Sequence, residues 1–324
     1  MRNILAPDLS AACVDKLSLV DSELLDCVSD DLALALAVHG VDDVRAPFGV
    51  DWRFDLVDTG AEPPRLALPP TDQDVLLGER TGWQPRWHAT TAPDADLSAW
   101  ATELRYGRPV VLVGDAYHLP WLPYRGHEHM DHGFVLAGVR DDVALVVDPY
   151  DNATEWGRAT PLSTELPAGE LDAALADGRW AVLEPAERRG AEQADDAAAI
   201  VSAAENGAYQ QFLDGHAQAG VVELHNLSLQ CWLLARSRGL HARWLTEHGQ
   251  STTDAVSRFA AEIVPAWRRA SELAYVALRR VRSGRRAPTA ALDAVRTAAD
   301  NEVRLAREML RRRDRTDGRN WASC

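Results

Sequence analysis

The feature that most constrains the fold of this chain is a change of composition near Arg188, Arg189 and Gly190. Before it, short β-branched runs alternate with segments rich in proline and glycine. After it, proline almost disappears, and alanine, leucine, arginine and glutamate recur at helical spacing. Short apolar runs predict strands, and long proline-poor stretches predict helices. The sequence therefore predicts an α+β domain over residues 1–190 and an all-helical domain over residues 191–324.

The length and composition fit this division. The chain has 324 residues, 46% of them apolar and 26% charged, which is enough to bury two cores and excludes wholesale disorder. It contains no run of about 18 apolar residues, so no transmembrane helix is expected. Asp8, Asp15 and Lys16 interrupt any signal-peptide core, and a cytoplasmic location is expected.

The second half of the chain is predicted to form four helices. Breaks are expected near Gly215, Gly239 and Ser283-Gly284, where glycine ends helices readily. The predicted helices cover residues 192–214, 217–238, 251–283 and 287–314.

The charge of the chain is unevenly distributed. The formal net charge is −15, which argues against general nucleic-acid binding. The segment from Arg268 to Arg319 nevertheless carries 15 arginines against seven acidic residues. Such a segment is either a solvated helix face or a docking surface for an acidic partner.

The four cysteines are Cys13, Cys27, Cys231 and Cys324, and none of them forms a CxxC pair. This spacing is neither a disulfide framework nor a structural zinc site. Cys13 and Cys231 are best explained as buried apolar residues. Cys27 differs, because it lies near the N-terminus of a predicted apolar helix that stops at Gly40, and the dipole at a helix N-terminus favours the reactive thiolate.

Two further residues complete a catalytic pattern. His132 opens an apolar run, and Asp148 closes the next run after the short turn Arg140-Asp141-Asp142, which predicts a β-hairpin. The two side chains are then expected to meet at one end of the hairpin. In this interpretation Cys27 is the nucleophile, His132 moves the proton and Asp148 orients the imidazole. A strand-ending Asp-Pro turn is the alternative role for Asp148.

These motifs resemble known families. Asp26-Cys27 followed by an apolar helix, together with His132-Gly-Phe-Val-Leu and Val-Val-Asp148-Pro, resembles the bacteriocin-processing (C39-type) cysteine peptidases. The aromatic segment from Asp115 to Tyr124, which includes Leu-Pro-Trp, resembles the butirosin-type acyltransferases of aminoglycoside biosynthesis more closely. The amide-forming condensation enzymes of lincosamide antibiotic biosynthesis are similar in length and plan. The resemblance covers roughly residues 20–150.

The resemblance implies a fold and a reaction. The fold would be a papain-like (C39-like) cysteine-enzyme core with an all-helical C-terminal domain that covers the cleft or docks a carrier protein. The reaction would move an acyl or aminoacyl group from a carrier-protein thioester to a small amine, such as an amino sugar, and form an amide in antibiotic biosynthesis. No cofactor is expected, since phosphopantetheine arrives on the acyl or peptidyl carrier protein. No membrane or nucleic-acid partner is expected.

Two positions depart from the peptidase pattern. Asp21 stands where C39 peptidases have an oxyanion-binding glutamine, and an ionised carboxylate cannot donate a hydrogen bond. Val28 stands in place of the glycine after the cysteine. The backbone N–H of Cys27, helped by Ser22, is the remaining candidate oxyanion donor. A C39-like peptidase or amidase, or a non-catalytic papain-like binding module, stays as the alternative function.

The segment before His132 carries the predicted substrate-binding residues, which are Tyr117, Trp121, Tyr124 and His129. Its aromatic residues either line a pocket for the acceptor or fill the core. The histidines offer a second alternative, because His127 and His129, near His118 and His132, resemble ligands for zinc. The run has no HExxH helix and no third ligand at a firm spacing. We therefore expect no metal, with His127 and His129 as cleft-lining or loop residues.

Overall fold

A computed structural model describes residues 9–57, 63–67, 74–91, 93–188, 196–217, 220–248 and 253–321. The chain divides into two compact units, one formed by Met1–Phe48 and Asp72–Ala191, the other by Gly49–Thr71 and Glu192–Cys324. The first is mixed α/β and the second is largely helical. Within the described ranges, no helix is both long enough and apolar enough to cross a membrane.

The helices and strands are numbered along the chain, with strands and helices mixed before residue 190 and helices alone after it. They are α1 (Leu9–Lys16), α2 (Cys27–Val38), α3 (Ala46–Gly49), β1 (Leu56–Val57), β2 (Arg65–Leu66), α4 (Asp74–Thr81), β3 (Trp83–Ala89), α5 (Pro93–Arg105), β4 (Val110–Asp115), β5 (Asp131–Arg140), β6 (Val143–Asp148), β7 (Asn152–Thr154), β8 (Gly157–Ala159), β9 (Leu162–Pro167), β10 (Arg179–Pro185), α6 (Asp196–Glu205), α7 (Ala208–Gly215), α8 (Val221–His248), α9 (Thr253–Arg258), α10 (Val264–Arg282) and α11 (Ala290–Trp321).

The mixed unit is built on a six-stranded antiparallel sheet with the order β3-β10-β4-β5-β6-β9. The central strands β4 and β5 are almost entirely buried, and helix α2 packs against both of them. Strands β5 and β6 form the predicted hairpin. Its turn residues, Asp141 and Asp142, both have positive φ, as the two-residue turns that match strand twist require.

Helix α2 begins and ends where the local sequence predicts. Its N-cap is Asp26, whose side chain accepts hydrogen bonds from the backbone N–H groups of Val28 and Ser29, both at 3.1 Å. Gly40, at φ +83°, lies just beyond its C-terminus, where a left-handed residue commonly stops a helix. Because the helix is buried over most of its length, its packing on the sheet fixes the position of its first residue, Cys27.

The second unit contains a stretch that the sequence-based division assigns to the first domain. Residues 49–71 belong with the helices, although the boundary predicted at residues 190 and 191 places them in the α+β part. The reason is aromatic packing: Trp52 and Phe54 are each only 1% exposed. The indole of Trp52 donates to Glu302 at 3.0 Å, and Phe54 stacks on Tyr209 with ring centroids 3.9 Å apart.

The helical breaks differ from the predicted ones in two places. Helix α8 runs through Gly239 without interruption, so the break predicted there is wrong. Arg238, Leu240 and His241 around it are buried, and burial of these neighbours outweighs the roughly 1 kcal/mol that a helical glycine costs. The predicted helix 192–214 is instead divided at Gly207, which has φ +78°.

Candidate active site

The candidate nucleophile lies at the first position of α2. Cys27 is partly exposed and forms no disulfide. Its thiol accepts a hydrogen bond from the backbone N–H of Gly133, the residue that follows His132 on β5. The contact between helix and strand therefore brings the thiol within one residue of the candidate base.

Gly133 makes this approach possible because it has no side chain. A Cβ atom at this position would lie 2.2 Å from Oδ2 of Asp31 and 2.7 Å from the carbonyl oxygen of Cys27. Both distances are far shorter than the separation of a carbon and an oxygen atom in van der Waals contact. The N-terminal turn of α2 thus lies directly on the backbone of β5.

His132 and Asp148 form a buried pair at the end of the hairpin. Nε2 of His132 lies 2.9 Å from Oδ2 of Asp148, and the side chains are 0% and 2% exposed. When Nε2 carries the proton and donates it to the carboxylate, Nδ1 is left as an acceptor. Nδ1 of His132 has no hydrogen-bond partner among the described residues. The predicted meeting of these two side chains is present, while their catalytic roles stay predictions.

Asp148 is held by two further donors. The indole N–H of Trp121 donates to Oδ2 at 2.7 Å, and the backbone N–H of Tyr150 donates to Oδ1 at 2.9 Å. The ring of Tyr150 also contacts the imidazole of His132 edge-on, at a centroid distance of 5.0 Å. Both oxygens of the carboxylate are therefore fixed, and with them the plane of the imidazole. The sequence analysis assigned Trp121 to substrate binding and did not anticipate this contact.

The electrostatics of the thiol differ from the sequence-based expectation. Burial raises the pKa of the Cys27 thiol well above its ordinary value of 9.0, and the carboxyl groups of Asp26, Asp30 and Asp31 raise it further. The hydrogen bond from Gly133 lowers it only in part. The helix N-terminus was expected to favour the thiolate, but burial of the thiol and the three nearby carboxyl groups favour the neutral form.

Asp31 is one of two fully buried carboxyl groups in this set, with Asp30. It is 0% exposed, and neither of its oxygens has a hydrogen-bond partner within the described ranges. Burial raises its pKa well above the ordinary 3.8, and the charges of Asp148 and Asp26 raise it further. A second buried negative charge beside Asp148 is costly, and this cost is the physical cause of the raised pKa.

The predicted oxyanion and substrate residues take varied positions. Asp21 and Ser22 are both buried, and the carbonyl oxygen of Asp21 accepts backbone hydrogen bonds from Leu24 and Leu25. Their part in an oxyanion hole stays a prediction. The ring of Tyr117 stacks on His129 at 4.1 Å.

Tyr124 lies in the core rather than on an open surface. It is 6% exposed, and its hydroxyl accepts from Nδ2 of Asn152 at 2.9 Å and lies 3.4 Å from the hydroxyl of Tyr150. These contacts favour the core-filling interpretation of Tyr124.

The histidines separate into three environments. His132 is engaged with Asp148, and His127 stacks on Trp156 at 5.2 Å. His129 instead bonds Asp115, with 2.6 Å between Nδ1 and Oδ2. The shared zinc site considered for His127, His129 and His132 is therefore not assembled.

The remaining cysteines are unsuited to nucleophilic chemistry. Cys13 and Cys231 are both 0% exposed. Burial raises the pKa of Cys13 to about 12 and also raises that of Cys231. Cys324 lies outside the described residues.

One family comparison bears on these residues. Residues 49–149 match the family model described as butirosin biosynthesis protein H, N-terminal. The matched segment includes His132 and Asp148 and begins after Cys27, and it covers less than half of the chain. No curated protein matches the chain. The match supports the resemblance to the butirosin-type family over this segment and does not distinguish a lincosamide-type condensation enzyme.

Proposed function

We propose that this protein is a cytoplasmic, cysteine-dependent acyltransferase of antibiotic biosynthesis. It moves an acyl or aminoacyl group from a carrier-protein thioester to an amine and forms an amide. The observation that carries the proposal is the buried pair of His132 and Asp148, joined to the thiol of Cys27 through the backbone of Gly133. The match to a butirosin biosynthesis family supports the biosynthetic setting. A papain-like core followed by an all-helical domain is part of the proposal.

The first half-reaction transfers the acyl group to the protein. Nδ1 of His132 takes the proton of the Cys27 thiol as the sulfur attacks the thioester carbonyl carbon. A new carbon–sulfur bond forms, the bond to the phosphopantetheine sulfur breaks, and the departing thiolate receives the proton from His132. The open Nδ1 and the fixed Nε2 of His132 support this assignment.

The raised pKa of the thiol fits a mechanism in which attack and proton transfer are coupled. Cys27 rests as the neutral thiol, because Asp26 and Asp30 oppose a negative charge beside them. Loss of the proton to His132 creates a cation that these carboxylates and Asp148 stabilise. The resting thiol is thereby protected from oxidation, which needs the thiolate.

The second half-reaction delivers the acyl group to the acceptor. The amine nitrogen attacks the acyl-cysteine carbon and loses a proton to His132, and the carbon–sulfur bond to Cys27 breaks. The proton returns to the sulfur, which regenerates the thiol and releases an amide. The thioester supplies the driving force, so the proposed chemistry needs no cofactor. Water must be kept from the acyl-enzyme so that attack by the amine is faster than hydrolysis.

The proposed donor is a carrier protein, which is small and acidic. Helix α11 carries the exposed residues Arg307 and Arg311, while Arg312 is paired with Asp254 and Arg304 with Glu262. Arg307 and Arg311 are therefore better candidates for docking an acidic surface than the whole cluster Arg311–Arg313. Attraction between opposite charges would speed association and weaken as salt rises.

The test is intact-mass spectrometry of the full chain with an acylated carrier protein and no amine. Wild-type protein should gain the mass of the acyl group, and Cys27→Ala should gain none. Cys13→Ala is the matched control, because that thiol is fully buried and cannot reach a substrate, and this variant should still be acylated. A panel of amino sugars added afterwards should remove the acyl group as an amide.

Two results would overturn the proposal. If Cys27→Ala forms amide at the wild-type rate, the thiol is not the nucleophile. If every amine tested leaves the products unchanged and the acyl-enzyme reacts only with water, the protein is a hydrolase of the peptidase or amidase type.

A further inference from the structure

A second cluster of metal-binding side chains takes no part in the proposed reaction; its carboxylate, Asp115, ends β4 one register position from the pairing of Gly114 with His132. Oδ2 of Asp115 is 2.6 Å from Nδ1 of His129 and 3.9 Å from Nε2 of His118. One ligand atom from each of the three residues lies within 4.8 Å of the other two. Two imidazole nitrogens and one carboxylate oxygen at such spacing are a donor set that divalent transition metals bind.

The carboxylate of Asp115 is oriented for this role. Its Oδ1 accepts hydrogen bonds from the backbone N–H groups of Tyr117 at 3.0 Å and Met130 at 3.3 Å. These bonds occupy one oxygen and direct the other, Oδ2, towards the two histidines. Metal sites typically fix their carboxylate ligands through such outer contacts.

The two histidines are also held by their neighbours. His118 ends a single turn of 3₁₀ helix that begins directly after Asp115. The imidazole of His129 lies flat against Tyr117, with an interplanar angle of 9°. The rings of His118 and His129 have centroids 6.1 Å apart. The three ligands therefore converge from both ends of one loop and need only small side-chain movements to share an ion.

We propose that Asp115, His118 and His129 form a binding site for one divalent transition-metal ion, with Zn²⁺ the best match to the donor set. The ion would take the place of the hydrogen bond between Asp115 and His129: Nδ1 of the neutral imidazole would bind the ion, and the ring proton would be carried on Nε2 instead. The three side chains are 31%, 37% and 67% exposed. A fourth coordination position is therefore open to water or to a ligand from solution.

The site has a consequence for the loop between its ligands. That loop carries Trp121, whose indole donates to Asp148. An ion bound by Asp115 and His129 closes the loop at both ends and restrains it. The sequence-based expectation of no metal considered other ligands, since it lacked Asp115 as the partner of His129.

The experiment is calorimetric titration of Zn²⁺ into the chelator-treated full chain, carried out in the Cys27→Ala background so that the thiol cannot bind the ion. We expect one ion per chain. His129→Ala, His118→Ala and Asp115→Asn should each weaken the affinity by about tenfold or more. His127→Ala is the matched control, because this histidine is on the same loop but stacks on Trp156, and its affinity should equal that of the parent.

A second measurement separates a lost ligand from a lost fold. Each variant is melted in the presence of chelator, where it should unfold at the same temperature as the parent, and Zn²⁺ should raise that temperature only when the three ligands are intact. Binding no tighter than millimolar in the parent would overturn the proposal. So would equal affinity in the His129→Ala and His127→Ala variants, because the ion would then be bound elsewhere.

Discussion

At the scale of single residues, Asp148 links the parts of the candidate site. It accepts hydrogen bonds from His132, Trp121 and the backbone of Tyr150. His132 is expected to accept and donate the proton itself, whereas Asp148 orients it, and Trp121 acts only through Asp148. Loss of activity should therefore decrease in that order.

The first prediction is a graded series of substitutions. His132→Ala should be nearly inactive, Asp148→Asn should lose tens- to thousands-fold, and Trp121→Phe about tenfold in kcat/KM. The measurement is turnover of a small thioester substrate. Trp156→Phe is a control, because its ring stacks on His127 and does not bond Asp148. Full activity in Asp148→Asn would assign Asp148 to the strand-ending turn alone.

The second prediction concerns the charge beside the thiol. Asp26→Asn removes a carboxylate that raises the pKa of Cys27, and asparagine still caps the helix well. The lower pKa means more thiolate at neutral pH, so alkylation of Cys27 by iodoacetamide should become faster, on the order of tenfold for one unit of pKa. Alkylation is followed by intact mass from pH 6 to 10.

The matched variant for this experiment is Asp43→Asn, which removes a carboxylate that caps the backbone at Arg45 and Ala46. Its alkylation rate should equal that of the wild type. In the wild-type chain the rate should still be rising above pH 9, because the thiol pKa is raised. A rate that levels off below pH 8 would show that the thiolate is already the resting form.

The candidate site was predictable only in outline at this scale. The order of Cys27, His132 and Asp148 and the meeting of the last two follow from local patterns, namely a helix start and a short hairpin. The role of Trp121 was missed, because a contact from a loop to Asp148 leaves no periodic signal. The acidic residues near Cys27 can be read from the sequence, but their effect on the pKa of the thiol depends on how deeply they are buried.

At the scale of elements, the approach of α2 to β5 decides whether the site forms. Gly133→Ala would place a methyl group 2.7 Å from the carbonyl oxygen of Cys27. Backbone cannot rotate away as a side chain can, so the helix must shift. We predict that the variant loses acylation of Cys27 and about 1–3 kcal/mol of unfolding free energy, as overpacked cores do.

Gly138→Ala on the same strand is the control for this prediction. Its Cβ would meet Cδ1 of Leu145 at 2.9 Å, and the flexible end of a leucine can move. Urea unfolding and acylation are measured for both variants. Equal behaviour of the two would mean that contact between α2 and β5 does not set the geometry of the thiol.

The central strands of the sheet were predictable from the sequence, whereas the two edge strands were not. The β5–β6 hairpin was predicted from two apolar runs around a charged turn. Strand β3 was not, because Pro85 interrupts it. The order of the sheet explains how the proline is tolerated. Proline has no backbone N–H to donate to a neighbouring strand, and β3 is an edge strand, where such a residue is accepted. The opposite edge, β9, alternates in exposure and lacks the apolar run of a central strand.

At the scale of the whole molecule, the stability of the helical unit should depend on pH through His241. Burial lowers the pKa of His241 from 6.5 to about 4, helped by the charge of Arg238 and opposed by Asp51 and Glu302. Its Nδ1–H donates to the carbonyl oxygen of Gly49 at 2.9 Å. The folded chain therefore keeps this histidine neutral at a pH where the unfolded chain protonates it.

The expected result is a loss of unfolding free energy as the pH falls from 6.5 to about 4, amounting to about 3 kcal/mol from this residue. Below that range both states bind the proton and the loss stops. Urea unfolding at several pH values measures the slope. His241→Gln, which keeps an amide donor for Gly49 but does not titrate, should show a smaller slope. An unchanged slope would assign the pH dependence to other groups.

The division of the chain was predictable at one boundary and not at the other. One boundary coincides with the change of composition near residue 190, which can be read directly from the sequence. The stretch 49–71 carries no such change, and its assignment depends on which aromatic core encloses Trp52 and Phe54. Such a choice is decided by contacts to residues more than 150 positions away.

The path of the chain between its two units bears on how such a protein can diversify. Because residues 49–71 pack with the helices, a recombination event that exchanged only the gene segment after residue 190 would bring in helices without their own aromatic partners. A successful exchange must carry two separated stretches of the gene together. The family match begins at residue 49, where the chain enters the helical unit. The two units are therefore expected to be inherited as a pair, and new specificities to arise by substitution within them rather than by shuffling.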